Sequence, residues 1–147
     1  MPQIVSDSAQ ADLNARLIVR FFREVLMTGD AARAGGFLAE DFIDHDAAPS
    51  LSAGADAVIQ KLAVWWHAFP DGQFALETVI AAGDLVAARS TFTGTHLGPF
   101  GPIAPAGRRV SVSFSDWYRV GGGRIVAHWH NFDEAGLMRQ LGASAAR

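Results

Sequence analysis

The sequence predicts an α+β fold in which helices pack on one face of a strongly curved antiparallel sheet. Two observations carry that expectation. Apolar residues recur at the helical period up to about residue 70, and at alternate positions from residue 73 onward. Helical segments followed by a run of strands gather the helices on one side of the sheet. With 147 residues, 50% of them hydrophobic, the chain can bury a sizeable core, and one domain over residues 1–147 is expected.

The first helix is read from Leu13, Leu17, Phe21 and Val25, with Ile18, Phe22 and Leu26 beside them, from near Ser8 to Gly29. "GDAARAGGFLAEDFIDHDAAPS" begins as a short Ala-rich helix broken by Gly35 and Gly36 and ends in an acidic loop punctuated by Pro49. Residues 54–70 return to the helical pattern, with Val58, Leu62, Trp65, Trp66 and Phe69 on one broad face, and Pro70 ends it. Stretches 73–82, 84–96, 108–120 and 124–132 are rich in Val, Ile, Thr, Phe and Trp and read as an antiparallel meander. "LGPFGPIAPAGRR" holds three of the six prolines and reads as a long loop at one rim. "DEAGLMRQLG" closes as a short terminal helix stopped by Gly142, with Asp133 at its N-cap.

Whole-chain quantities exclude several classes. A net charge of −3 with scattered Lys and Arg carries no footprint for nucleic acid. The absence of cysteine excludes disulfides, thiolate nucleophiles and Cys-ligated zinc. The N-terminal stretch has neither a positive nor an apolar targeting region, and no apolar run approaches about 18 residues. A soluble cytoplasmic protein with no nucleic-acid or membrane partner is the expectation.

The chemistry emerges from the last two strands. In "VSVSFSDWYRV", Val110, Val112, Phe114, Asp116, Tyr118 and Val120 share a face, so Asp116 lies inside an apolar stripe. In "RIVAHWHNFD", Val126, His128, His130 and Phe132 share one. With "GGG" at 121–123 as the hairpin turn and Val120 opposite Arg124, Asp116 opposes His128 and Phe114 opposes His130. One such pair is explained as a satisfied buried contact. A carboxylate and two imidazoles converging on an apolar face resemble a pocket that moves protons. His-x-His with a carboxylate is also a possible facial metal set, but no ligand-rich motif supports it and no metal is expected. His45, between Asp44 and Asp46, suits a pocket mouth or a solvated acidic loop. His67 suits a surface, and His96 sits where it could reach a ligand.

Taken in order, "AFPD" at 68–71, "GD" at 83–84, "FTGTHLGPF" at 92–100, "P-x-GRRV" at 105–110 and "GRIVAHWHNFD" followed by "RQLG" resemble the SnoaL-like proteins. These are the polyketide cyclase or ester cyclase group of the nuclear-transport-factor-2-like superfamily, and the likeness runs from about residue 13 to 142. The resemblance implies a cone-shaped barrel closed by helices around an apolar pocket, in homodimers or homotetramers. It also implies ring closure of an apolar polycyclic or polyketide substrate by intramolecular aldol chemistry without a cofactor. Related pockets support isomerisation, dehydration, epoxide opening and accessory roles in polyketide hydroxylation.

In the cyclases the last strand carries His, one residue, then the catalytic Asp. Aligned through "RQLG", those positions are His128 and His130 here, while Asp116 stands where the family has a pocket histidine. Acid and histidine look exchanged between strands. The expected roles are therefore His130 as general base and acid, Asp116 as its orienter and His128 as donor to the developing oxyanion. Asp44 aligns near a polar pocket position, and Trp66, Phe92, Phe114 and Tyr118 are the expected walls, with His45 and His96 nearby. An Asp-Arg-Asp epoxide relay would need Arg89, which alternation puts on the opposite face from Phe92 and His96. The other class is a non-catalytic small-molecule binder. An outer face of Ile125, Ala127, Trp129 and Trp117 would suit a dimer contact in either case.

Overall fold

The computed structural model describes residues 1–47 and 54–143, so Pro49 and its punctuation of the acidic loop lie outside the described residues. Strand β1 (Gln3–Ser6) leads into helix α1 (Ala9–Phe21), where the Ser8 side chain accepts from the Ala11 amide at 3.1 Å and caps the helix. Of the apolar positions read from sequence, Ile18, Phe21, Phe22 and Val25 are buried, whereas Leu13 is 61% exposed and the buried face runs instead through Ala11, Ala15 and Val19. The helix then widens into a π turn (Phe22–Leu26), closed by the Met27 amide on the Phe22 carbonyl at 2.7 Å. Gly29, at φ 70°, ends the segment, and a Cβ there would stand 2.9 Å from the Trp66 ring.

A 3₁₀ turn (Ala31–Gly36) precedes strand β2 (Leu38–Asp44), and helix α2 (Ala55–Ala68) follows. Strands β3 (Gln73–Ala82), β4 (Leu85–Thr95), β5 (Arg109–Gly121) and β6 (Arg124–Phe132) form the expected meander, and α3 (Glu134–Gln140) closes the described chain, its N-cap Asp133 accepting from the Gly136 amide at 2.9 Å. The rim loop is tied to the end of α2, because the Leu97 amide donates to the Ala68 carbonyl at 3.0 Å.

The sheet runs in the order β1-β3-β4-β5-β6-β2. It is mixed rather than wholly antiparallel, since β1 joins β3 and β2 joins β6 in parallel. Both edge strands lie where no strand was expected. In "LAEDFID" three acidic residues and an outward, half-exposed Ile43 obscure the alternation, although Leu38, Phe42 and Asp44 are buried. The two edges, β1 and β2, do not bond to each other, so hydrogen bonds do not close a barrel.

The β5–β6 hairpin departs from the simple register at the glycine turn, where Gly122 and Gly123 take φ of 58° and 74°. Val120 pairs with Ile125 and Arg119 with Ala127, so Val126 is the extra residue of a β-bulge. The bulge turns Ile125 into the core, fully buried, and removes it from the outer face expected to hold it; Ala127 is covered as well. It also resets the pairs beyond. Asp116 opposes His130, Tyr118 opposes His128 and Phe114 opposes Phe132.

Two apolar clusters hold the layers together. One lies under α1, around Ile18, Phe22, Val79 and Ile125. The other gathers Phe69, Phe92, Val112, Phe114 and Leu137, with Trp65 of α2 in edge or stacked contact with Phe69, Phe92, Phe100, Phe114 and Phe132. Phe92 is fully buried there, touching Trp65, Trp66, Phe69 and Phe74. Truncating it leaves a void between helix and sheet, so Phe92→Ala should cost about 3–5 kcal/mol of stability in urea unfolding. A loss below about 1 kcal/mol, as at an exposed position, would contradict that packing.

Candidate active site

Between the helices and the sheet lies a cavity of about 610 Å³. Its walls are aromatic and aliphatic: Phe21 and Phe22 from the end of α1, Trp65 from α2, Phe74 from β3, Phe114 and Tyr118 from β5, Phe132 from β6. The consecutive residues Phe21 and Phe22, where α1 passes into the π turn, and Leu26 at the end of that turn all reach the cavity. The polar lining comes from Asp44, Asp46, Lys61, Asp116, His128, His130 and Glu134.

Five of those polar groups form an ordered chain. Asp116 Oδ1 lies 2.8 Å from His128 Nε2, and His128 Nδ1 lies 3.6 Å from Asp44 Oδ1. Asp44 Oδ2 receives Lys61 Nζ at 2.7 Å, and the same Nζ stands 3.4 Å from His130 Nδ1. Elements from both ends of the sequence make this possible. Asp44 on β2 is the register partner of His128 on β6, and Lys61 comes down from α2.

Burial alone would push His128 toward its neutral form. The hydrogen bonds and charges of Asp116 and Asp44 outweigh it and raise the imidazole from 6.5 to about 9. With a carboxylate at each ring nitrogen, His128 is an imidazolium at neutral pH. Burial pushes Asp44 upward, but the His128 and Lys61 bonds win and hold its carboxyl well below the usual range. His130 is shifted the other way: burial first, then the charges of Lys61 and His128, lower it below 6.5. The Tyr118 phenol, buried and facing Asp116 and Asp44, stays protonated far above its ordinary value and stacks on His128 at 4.8 Å.

The cavity therefore brings together Asp44, Phe114, Asp116, Tyr118, His128 and His130 among the residues singled out from sequence. It does not gather the others. His45 stacks on Trp129 at 4.5 Å on the opposite face of the sheet, because Trp129 alternates with His128 and His130. Trp66 packs against Gly29, and Phe92 lies in the second cluster. His96 is fully buried 5.6 Å from Phe69, with neither ring nitrogen bonded. Arg89 is exposed on the outer face, and no arginine is among the described lining residues, which removes the basis for an Asp-Arg-Asp relay.

The pairing within the site also differs from the expected one. Asp116 bonds His128, its diagonal neighbour, and not His130, which the bulge sets directly opposite it. His128, taken up by carboxylates, is poorly placed to donate to a substrate. The largest omission is Lys61, the only lysine in the chain, set in the apolar "AVIQKLAVWW"; that isolation was the available signal. Asp44, His128 and His130 offer donor atoms within 4.8 Å of one another. The Lys61 ammonium already lies against Asp44 and His130, 2.7 and 3.4 Å from their donor atoms, so a cation of the chain itself occupies two of the three.

Comparison with known proteins agrees with this architecture. The description "SnoaL-like polyketide cyclase" matches residues 16–141. The chain belongs to the SnoaL-like polyketide cyclase family. A candidate polyketide cyclase from Bacillus cereus is 25% identical with a TM-score of 0.83, over 99% of this chain and 94% of that one. TsrD from Streptomyces laurentii is 28% identical with a TM-score of 0.77, over 94% and 98%. IdmH, a candidate polyketide cyclase from Streptomyces antibioticus, is 26% identical with a TM-score of 0.76, over 88% and 99%. No curated protein matches the sequence. None of the described helices of this SnoaL-like chain is long and apolar enough to cross a membrane.

The charge state of the site links stability to pH. A group raised in the folded state stabilises fully below its unfolded value and loses that contribution as pH passes its folded value. For His128 the loss should fall between pH 6.5 and about 9 and amount to on the order of 3 kcal/mol. Urea unfolding across that window should show the decline, and Asp116→Asn should shrink it. A stability that stays flat from neutral to alkaline pH would contradict the doubly paired imidazolium.

Proposed function

We propose that the protein is a cyclase-type acid/base enzyme acting on an apolar, polycyclic or polyketide-like carbonyl compound held in a cone-like pocket between sheet and helices. The supporting observation is the pairing of Asp116 and His130 across β5 and β6, in the cavity wall where Asp44, Lys61 and His128 join them. Directly opposed residues hold their Cβ atoms about 4.5–5.5 Å apart, near enough to act on adjacent atoms of one substrate.

The hydrogen bonds favour a division of labour different from the one read from sequence. Asp116 has its Oδ1 on His128, while Oδ2 has no hydrogen-bond partner among the described residues. In this reading Oδ2 takes the proton from a methylene between two carbonyls. The C–H electron pair moves onto the carbonyl oxygen, which His130 receives. The enolate carbon then attacks a second carbonyl of the same molecule, forming the ring bond, and the new alkoxide takes the proton held on Asp116 Oδ2, which restores the carboxylate. His128 holds the Asp116 carboxylate in place, and the aromatic walls exclude water and fold the substrate.

Exchange of the acidic methylene protons of an aromatic β-ketoester into deuterated water measures the first step alone, independent of which ring is formed. Asp116→Asn and His130→Phe should each slow exchange about 10²–10⁴-fold, the usual contribution of a positioned acid or base. If both variants bind the ester as the wild type does and exchange its protons at the wild-type rate, the pocket is a binding module.

A further inference from the structure

We propose that Lys61 is a positioning residue that fixes His130 as a neutral imidazole with its proton on Nε2, making His130 a hydrogen-bond donor in the cavity. Lys61 Nζ lies 2.7 Å from Asp44 Oδ2 and 3.4 Å from His130 Nδ1. An ammonium group has donors and no acceptor, so the ring nitrogen facing it must supply a lone pair. With Nδ1 accepting, the single proton of the neutral ring resides on Nε2. The inference rests on the assignment of Asp116 and His130 as the proton-transfer pair, and it settles which of the two can be the base. A ring whose lone pair is held by Lys61 serves a carbonyl oxygen as donor, and the carboxylate is left to accept the carbon-bound proton.

The surroundings support a fixed arrangement. Asp44 is fully buried, and Lys61, only 26% exposed, has its head held against it. The backbone amide of His130 donates to Asp46 Oδ2 at 2.7 Å, which secures the strand at the point where the ring departs. The charged groups acting on the ring are Lys61 from α2, Asp44 from β2, Asp116 from β5 and His128 on its own strand, while Asp46 in the turn after β2 holds the His130 amide and Glu134 at the start of α3 lines the same cavity. Burial, together with the charges of Lys61 and His128, keeps the ring neutral against the opposite pull of Asp116 and Asp44. A neutral imidazole polarises a carbonyl without releasing its proton beforehand.

Two-bond proton–nitrogen correlation spectra of nitrogen-15-labelled histidines distinguish both neutral tautomers from the imidazolium. The full chain is followed from about pH 5 to about pH 10, bracketing ordinary and raised histidine values, as wild type, Lys61→Arg and Lys61→Met. His130 of the wild type should be neutral at pH 7 with its proton on Nε2, and Lys61→Arg, which keeps a cation with no acceptor, should preserve this. Lys61→Met should mix the tautomers and raise the His130 midpoint by about one pH unit, the usual effect of removing an adjacent like charge.

A wild-type proton on Nδ1 would overturn the proposal, as would a Lys61→Met spectrum with unchanged tautomer and midpoint. If Lys61→Met does not fold, the wild-type tautomer and Lys61→Arg decide. The spectra do not depend on turnover. A correct tautomer with unaffected exchange in Asp116→Asn and His130→Phe would retain the role of Lys61 and discard the catalytic reading.

Discussion

His128 lies between Asp44 and Asp116, and much of the site's construction follows from what such a cation needs. A buried imidazolium is tolerable only with carboxylates at its nitrogens, and buried carboxylates in turn need cations or donors. Asp116 lies two residues along β5 from the position opposite His128, within diagonal reach. Asp44 has to arrive from outside the meander, on β2, which adds to the edge of β6 in parallel and places Asp44 beside His128. Its remaining oxygen calls for Lys61, and Lys61 ties α2 to the same point. Removing one member leaves an unpaired buried charge, a loss of about 3–5 kcal/mol in comparable pairs.

The same arrangement keeps a large apolar cavity usable for chemistry. Charges alternate along Asp116, His128, Asp44 and Lys61, so the cluster is neutral as a whole and does not spread a strong field over the aromatic walls. The chain begins at Asp116 and ends against His130, and these two residues stand opposite each other on the sheet. Charge compensation and the juxtaposition of an acceptor with an imidazole thus come from one set of contacts. The aromatic groups supply the rest: Phe21, Phe22 and Trp65 from the helices face Phe74, Phe114 and Phe132 of the sheet across the cavity.

Much of this was legible in the sequence, for physical reasons that also explain what was not. The meander and the two long helices carry clean periods, and each of their apolar faces meets one partner. The edge strands carry none. β1 is four residues long and β2 is interrupted by Glu40 and Asp41, both exposed, so pairing with β3 and β6 is what makes them strands. The faces of Asp116, His128 and His130 follow from alternation alone, and all three line the cavity. Their register does not, because a bulge at Val126 is a tertiary choice of a glycine hairpin. The links through Asp44 and Lys61 join residues 17 and more positions apart and depend on the path of β2 and α2. Aromatic residues were equally ambiguous: Phe92 and Phe114 lie on one face of the sheet, yet one is packed under Trp65 and Trp66 and the other borders the cavity.

The central claim is the charge on His128, and its ring nitrogens report it directly. Nitrogen-15 chemical shifts of His128 in the wild-type protein, followed from neutral to alkaline pH, should show both nitrogens protonated at pH 7.5, well above the ordinary 6.5, with loss of one proton near pH 9. A ring that is neutral at pH 7.5, with one nitrogen bare between Asp44 and Asp116, would contradict the account.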